Sequence, residues 1–113
     1  MIKIEKETHP MFNNSRFRTA AINSSVNLEI QLSLWRLIDD CKANKINLDY
    51  LQIFILSVEI INGKKIQKIT HTQEKSPFCF INIIERIEYP IDNLTIWVID
   101  DGDNSTMLFP SDY

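Results

Sequence analysis

Glycine occurs only twice in the 113 residues, and that scarcity excludes a good deal. Phosphate-cradling loops and dinucleotide fingerprints need several glycines near one helix start, so neither is available. Both glycines are also accounted for by backbone geometry. They follow Asn62 and Asp101, in pairs that favour a two-residue hairpin turn whose central residues take positive φ. The two cysteines, Cys41 and Cys79, lack C-x-x-C spacing. They read as two small buried thiols, not as a zinc knuckle or a disulfide scaffold. No run of about 18 apolar residues exists, and the opening MIKIEKETHP alternates charge with isoleucine where a signal sequence would be apolar. The expectation is a cytoplasmic protein without membrane contact. A net charge of −3 is too mild to steer nucleic acid strongly or to mimic it.

What is present is ordinary globular material: 44% hydrophobic and 24% charged residues, enough for one core and too little for two. Nineteen isoleucines and ten asparagines stand against three alanines, a bias that matches AT-rich coding DNA. Residues 1–14 read as a flexible N-terminal extension, with Met11 an alternative start, and 15–113 as a single domain.

The pattern predicts a first strand over 16–22, then a helix capped by Ser24 or Ser25. In that helix Glu29, Ser33, Arg36 and Asp40 form a narrow polar stripe. Leu28, Ile30, Leu32, Leu34, Trp35, Leu37, Ile38 and Cys41 cover the rest of the wheel, roughly 220° of it at 100° per residue. Gln31 falls inside the apolar arc and needs a hydrogen-bond partner there. Asn44 and Lys45 end the helix. Residues 50–61 are apolar on both alternating faces, as in a central strand. They return through Asn62-Gly63 as 64–74, whose lysines predict an edge strand. A further strand is expected over 78–89, and a last hairpin over 94–109. The fold class is therefore α+β: one long amphipathic helix packed on a five- or six-stranded, mainly antiparallel sheet in the order β-α-β-β-β-β-β.

Three carboxylates at the last turn, Asp100, Asp101 and Asp103, invite a metal-binding reading. An EF-hand loop places glycine sixth and a glutamate twelfth, and DDGDNSTMLFPS has neither. With Asp101-Gly102 as the loop, Val98 would face Ser105 and Ile96 would face Met107, giving one apolar side, while Trp97 and Leu108 take the other. The acids then decorate a hairpin tip, and Asp100→Ala with Asp103→Ala should cost within roughly 1 kcal/mol. His71, Gln73 and Glu74 form a second candidate group, with acid/base chemistry open to His and Glu if they meet in space. A histidine on a polar edge strand is more simply a surface residue. Arg16 and Arg18 flank Phe17, a basic and aromatic cluster of the kind single-strand binders use. Ser15, Ser57 and Ser105 lack a nucleophile elbow.

The blocks MFNNSRFRT, LEIQLSLWRLIDD, LDYLQIF, HTQE and IWVIDDGDNSTMLFPSDY together resemble the bacterial family known as domain of unknown function 960. It is found in staphylococci and related Firmicutes, in part on cassette chromosome elements. The resemblance spans residues 11–113. It implies a compact cytosolic protein and carries over no catalytic residue, although it directs attention to 71–74 and 100–106. The leading expectation is a non-enzymatic protein that acts by binding another protein or its own copies, with Trp97 among the anchors and no cofactor. A divalent-metal hydrolase using Asp100, Asp101, Asp103, His71 and Glu74 is the second expectation, and single-stranded nucleic-acid binding through Arg16, Arg18 and the lysines Lys64, Lys65 and Lys68 the third.

Overall fold

A computed structural model describes residues 11–75 and 78–113. The chain begins with β1 (Ser15–Arg18), then α1 (Ala20–Ser25) and the long α2 (Leu28–Ala43). Five strands follow: β2 (Leu51–Ile61), β3 (Lys64–Gln73), β4 (Cys79–Ile84), β5 (Leu94–Asp100) and β6 (Asn104–Leu108). A 3-10 turn, Pro110–Asp112, closes the chain. The strands form one sheet in the order β1-β6-β5-β2-β3-β4, antiparallel except where β1 lies parallel to β6. The α+β class and the element order expected from the pattern are those observed, with one short helix added.

That addition corrects the expected first strand and cap. The strand stops at Arg18 because Thr19 caps a helical turn, accepting the Ile22 N–H at 3.3 Å, and two alanines that favour helix follow it. Asn27, not Ser24 or Ser25, caps α2 by accepting the Ile30 N–H at 3.0 Å. At the far end Lys45 takes a left-handed φ of 57°. Its N–H donates to the Lys42 carbonyl and the Ile46 N–H to that of Cys41, a double closure that satisfies the last carbonyls.

The first hairpin forms as expected, with Asn62 and Gly63 at φ 51° and 76° and Ile61 opposite Lys64. The second slips by one residue. Its loop is Gly102 and Asp103, with Val98 opposite Met107 and Asp100 opposite Ser105. The slip moves each partner by two positions, so both faces keep their side chains. The Asp101 carboxylate sets the loop by accepting from the N–H groups of Asp103 and Asn104 at 3.0 and 2.8 Å.

Two further expectations are corrected. The strand at 64–74 is interior, because β4 pairs with it along 67–72. Lys64 and Lys65 lie beyond that stretch, and Lys68 meets Glu59 at 3.0 Å. The strand expected over 78–89 ends at Ile84. The segment after it is strapped to the sheet by Gln67, whose amide accepts from the Ile91 N–H at 2.7 Å and donates to the Ile91 carbonyl at 2.8 Å.

Both helices cover one face of the sheet. Ile22, Ile30, Leu34 and Ile38 pack in a single core with Phe54, Leu56, Ile69, Ile96, Val98 and Met107. Among the described residues the opposite face carries no helix. On it lie Phe17, Ile53, Ile55, Ile81, Ile83, Trp97 and Ile99, as the strand registers require. Gln31 finds its partners inside the fold: its amide donates to the Val26 carbonyl and accepts from Arg18. No described helix is long and apolar enough to cross a membrane.

Candidate functional site

The acidic tip is a clasp. Asp100 is only 8% exposed. Its carboxylate accepts from the Phe12 N–H at 2.7 Å, the Asn14 amide at 3.0 Å and the Gly102 N–H at 2.8 Å. Burial pushes its pKa up, but these donors and the charge of Lys42 outweigh that and hold it below the ordinary carboxylate value. Phe12 is thereby fixed at a left-handed φ of 61° with its ring in the core. Its carbonyl takes hydrogen bonds from Arg16 and Lys42 at 3.3 and 3.2 Å. Strain of this kind persists only where the surroundings over-determine it. Two expectations change as a result. Asp100 is structural, not decoration, and residues 11–14, expected within the extension, are joined to it through Phe12 and Asn14; residues 1–10 of the expected extension lie outside the described residues.

The metal-hydrolase residues do not gather. Alternation puts His71 on the helix-covered face and Glu74 on the bare one, where Glu74 accepts a short hydrogen bond from the Tyr50 hydroxyl. That bond, then burial, pushes the tyrosine up to about 12. His71 shares a row with Phe54 and Ile96, two strands away from β5 and four residues short of Asp100. At about 4.8 Å per strand and 3.3 Å per residue that is roughly 16 Å. Among the described residues no group of three or more His, Cys, Asp and Glu is placed to hold a metal ion.

Arg16 and Arg18 are likewise spent within the chain. Arg16 pairs with Asp39 and lies over the Trp35 ring at 4.8 Å. The bond from Arg16 holds the Asp39 carboxyl below its usual range, with burial opposing. Arg18 donates to Gln31 at 2.9 Å. Trp97 stands half-buried on the bare face with the Tyr113 ring edge-on at 6.1 Å. Beside them a cavity of about 370 Å³ is floored by Leu51, Ile53 and Ile99.

His71 is fully buried, not a surface residue. Phe54 stacks on its ring at 4.3 Å, and the Phe78 edge meets it at 5.1 Å. Its tautomer follows from a chain of amides. Gln73 donates to the Asn47 carbonyl and accepts from Gln52 at 2.8 Å, and Gln52 also donates to the Asp49 carbonyl at 3.0 Å. The Gln52 oxygen therefore faces His71, 2.7 Å from Nε2, so Nε2 carries the proton. Burial pushes the ring's pKa down to about 4, keeping it neutral. His71 and Gln73 do share a face, as expected. The ring also lines a cavity of about 220 Å³ with Cys41, Asn44, Phe80 and Asn82. Burial, then the Asp40 charge, pushes the Cys41 thiol up, so it offers no ready thiolate. Cys79, by contrast, is exposed, against the expectation of two buried thiols.

The sequence reading missed Gln52 and Phe12. The signal was a lone amide within the apolar run LQIFIL and an aromatic within a polar arm.

These features define a helix-on-sheet α+β protein in which, among the described residues, one sheet face carries no helix. The chain belongs to the DUF960 family, described as staphylococcal proteins of unknown function, whose model matches residues 15–112. It is similar to the crystal structure of a protein of unknown function from Enterococcus faecalis, with a TM-score of 0.72 at 24% identity over 90% of this chain and 92% of that one. At that identity the likeness is one of fold. No match was found among curated proteins.

Proposed function

We propose that this chain is a non-enzymatic binding protein that works by protein contact, and that the occupant of its open edge is a second copy of itself. The observation that carries this is β4. It is the last strand of the sheet, it reads CFINII without a charged residue, and it exposes Phe80, Ile81 and Ile83 by 39%, 59% and 42%. Proteins that remain monomeric guard such an edge with charge, proline or a covering segment. Antiparallel pairing of β4 with its symmetry mate would continue the sheet and bring the Ile81 and Ile83 side chains of the two copies together. A six-residue strand is only about 20 Å long, and a stable interface needs about 1,000 Å² or more. The predicted association is therefore weak and concentration-dependent, which suits a regulated contact better than a permanent dimer.

The test is light scattering across a concentration series, on the native chain and on Ile83→Lys. That side chain is solvent-exposed on the bare face and does not line the His71 cavity, so the fold should survive by circular dichroism. The native chain should move toward twice the monomer mass while the variant stays monomeric, because like charges face one another across the two-fold. A native chain that remains monomeric at the highest concentration reached overturns the reading.

A further inference from the structure

Buried polar atoms in folded proteins are almost always paired, and one left alone calls for an explanation such as a water or a ligand. Among the described residues every buried side-chain nitrogen and oxygen has a hydrogen-bond partner except one, Nδ1 of His71. The amide chain already traced commits the proton to Nε2. Nδ1 is thus a bare lone pair and can only accept. His71, itself fully buried, backs the wall of the 220 Å³ cavity between the C-terminal end of α2 and β4.

The walls narrow the choice of occupant. Leu37, Cys41, Ile46 and Phe80 make most of the surface apolar, while Asn44 and Asn82 supply neutral polar groups. The one ionised group, Asp40, is solvent-exposed and would repel an anion. A dry cavity of about 150 Å³ is known to hold benzene, so 220 Å³ has room for a bicyclic ring system. From this geometry we infer that the cavity binds a small neutral aromatic molecule of about the size of indole, held by its apolar faces, and that the wall over the fully buried Nδ1 of His71 yields enough for the molecule to donate one N–H or O–H to it. This site requires no second copy of the chain, and because Phe80, Ile81 and Asn82 of β4 line it, the titration is run at a protein concentration where light scattering gives the monomer mass.

The experiment titrates the native chain with indole and, separately, with benzofuran, which has nearly the same shape but an oxygen in place of the N–H. Amide resonances of Cys41, Phe80 and Ile81 and the ring nitrogens of His71 report on binding. Indole should shift these signals saturably and move the Nδ1 resonance, and benzofuran should bind about tenfold more weakly, the value of one net hydrogen bond. Equal affinities would overturn the assigned role of Nδ1, and the absence of saturable shifts with both probes would overturn the site. Because both arms use the native chain, no variant needs to fold for the result to count.

Discussion

Replacing Asp100 with alanine tests the clasp that ties the start of the described chain to its last hairpin. The change removes the acceptor for three donors, Phe12 N–H, the Asn14 amide and Gly102 N–H. Hydrogen bonds to a charged group contribute about 1.5–3 kcal/mol each, and loss of the carboxylate's own desolvation cost offsets part of that. Two structural responses are open. The segment can stay in place and leave the buried Phe12 N–H unpaired, at about 1–3 kcal/mol. Alternatively it can swing out and expose the Phe12 ring, at about 1.5–3 kcal/mol, with relief of the left-handed backbone returning about 1 kcal/mol. Whichever route is cheaper, the loss should be about 2 kcal/mol, or a fall in Tm of roughly 10 °C for a domain of this size. Asp103→Ala is the internal control: that carboxylate is exposed and accepts no hydrogen bond among the described residues, so its removal should stay within about 0.5 kcal/mol. Urea unfolding followed by tryptophan fluorescence reads both variants. An Asp100→Ala protein as stable as the native chain, or an Asp103→Ala protein equally damaged, would refute the clasp.

Two further outcomes are expected. The folded-state pKa of His71, about 4, lies below its unfolded value near 6.5. The unfolded chain therefore binds the proton first, so stability from this residue is complete above about pH 6.5 and declines as pH falls toward 4, by about 3 kcal/mol in all. Unfolding free energies from pH 7 to 4 check this, and a His71→Gln variant with an unchanged slope would contradict it. Of the two thiols, Cys79 should react at once with a thiol reagent, while buried Cys41 should wait for unfolding; two fast equivalents would show that Cys41 is open.

The parts of the fold that rest on local chemistry were legible in the sequence. The α2 stripe, the Asn62-Gly63 turn and the in-out alternation of β5 and β6 each follow from spacing or from φ preferences within a few residues. Even the one-residue slip at Gly102 left the faces intact, because alternation has a period of two. What could not be read was set by distant partners. Whether β3 is an edge depends on β4, so the burial of His71 was hidden until β4 was placed on it. The parallel pairing of β1 with β6 joins residues about ninety positions apart, and the anchoring of Phe12 by Asp100 spans a similar distance. Gln31, Gln52, Gln67 and Gln73 are all buried. A glutamine among apolar neighbours announces that a partner must exist, but not which one. The candidate site suffered most, since Glu74 and His71 are close in sequence and point to opposite faces.

The claim that matters most is that β4 is an unfinished edge completed by another copy of the chain. Hydrogen–deuterium exchange at low and high protein concentration measures this at the strand itself. Amides within 79–84 should gain protection as concentration rises, while those of β2, already interior, should not change. Exchange in β4 that is fast and indifferent to concentration would contradict it.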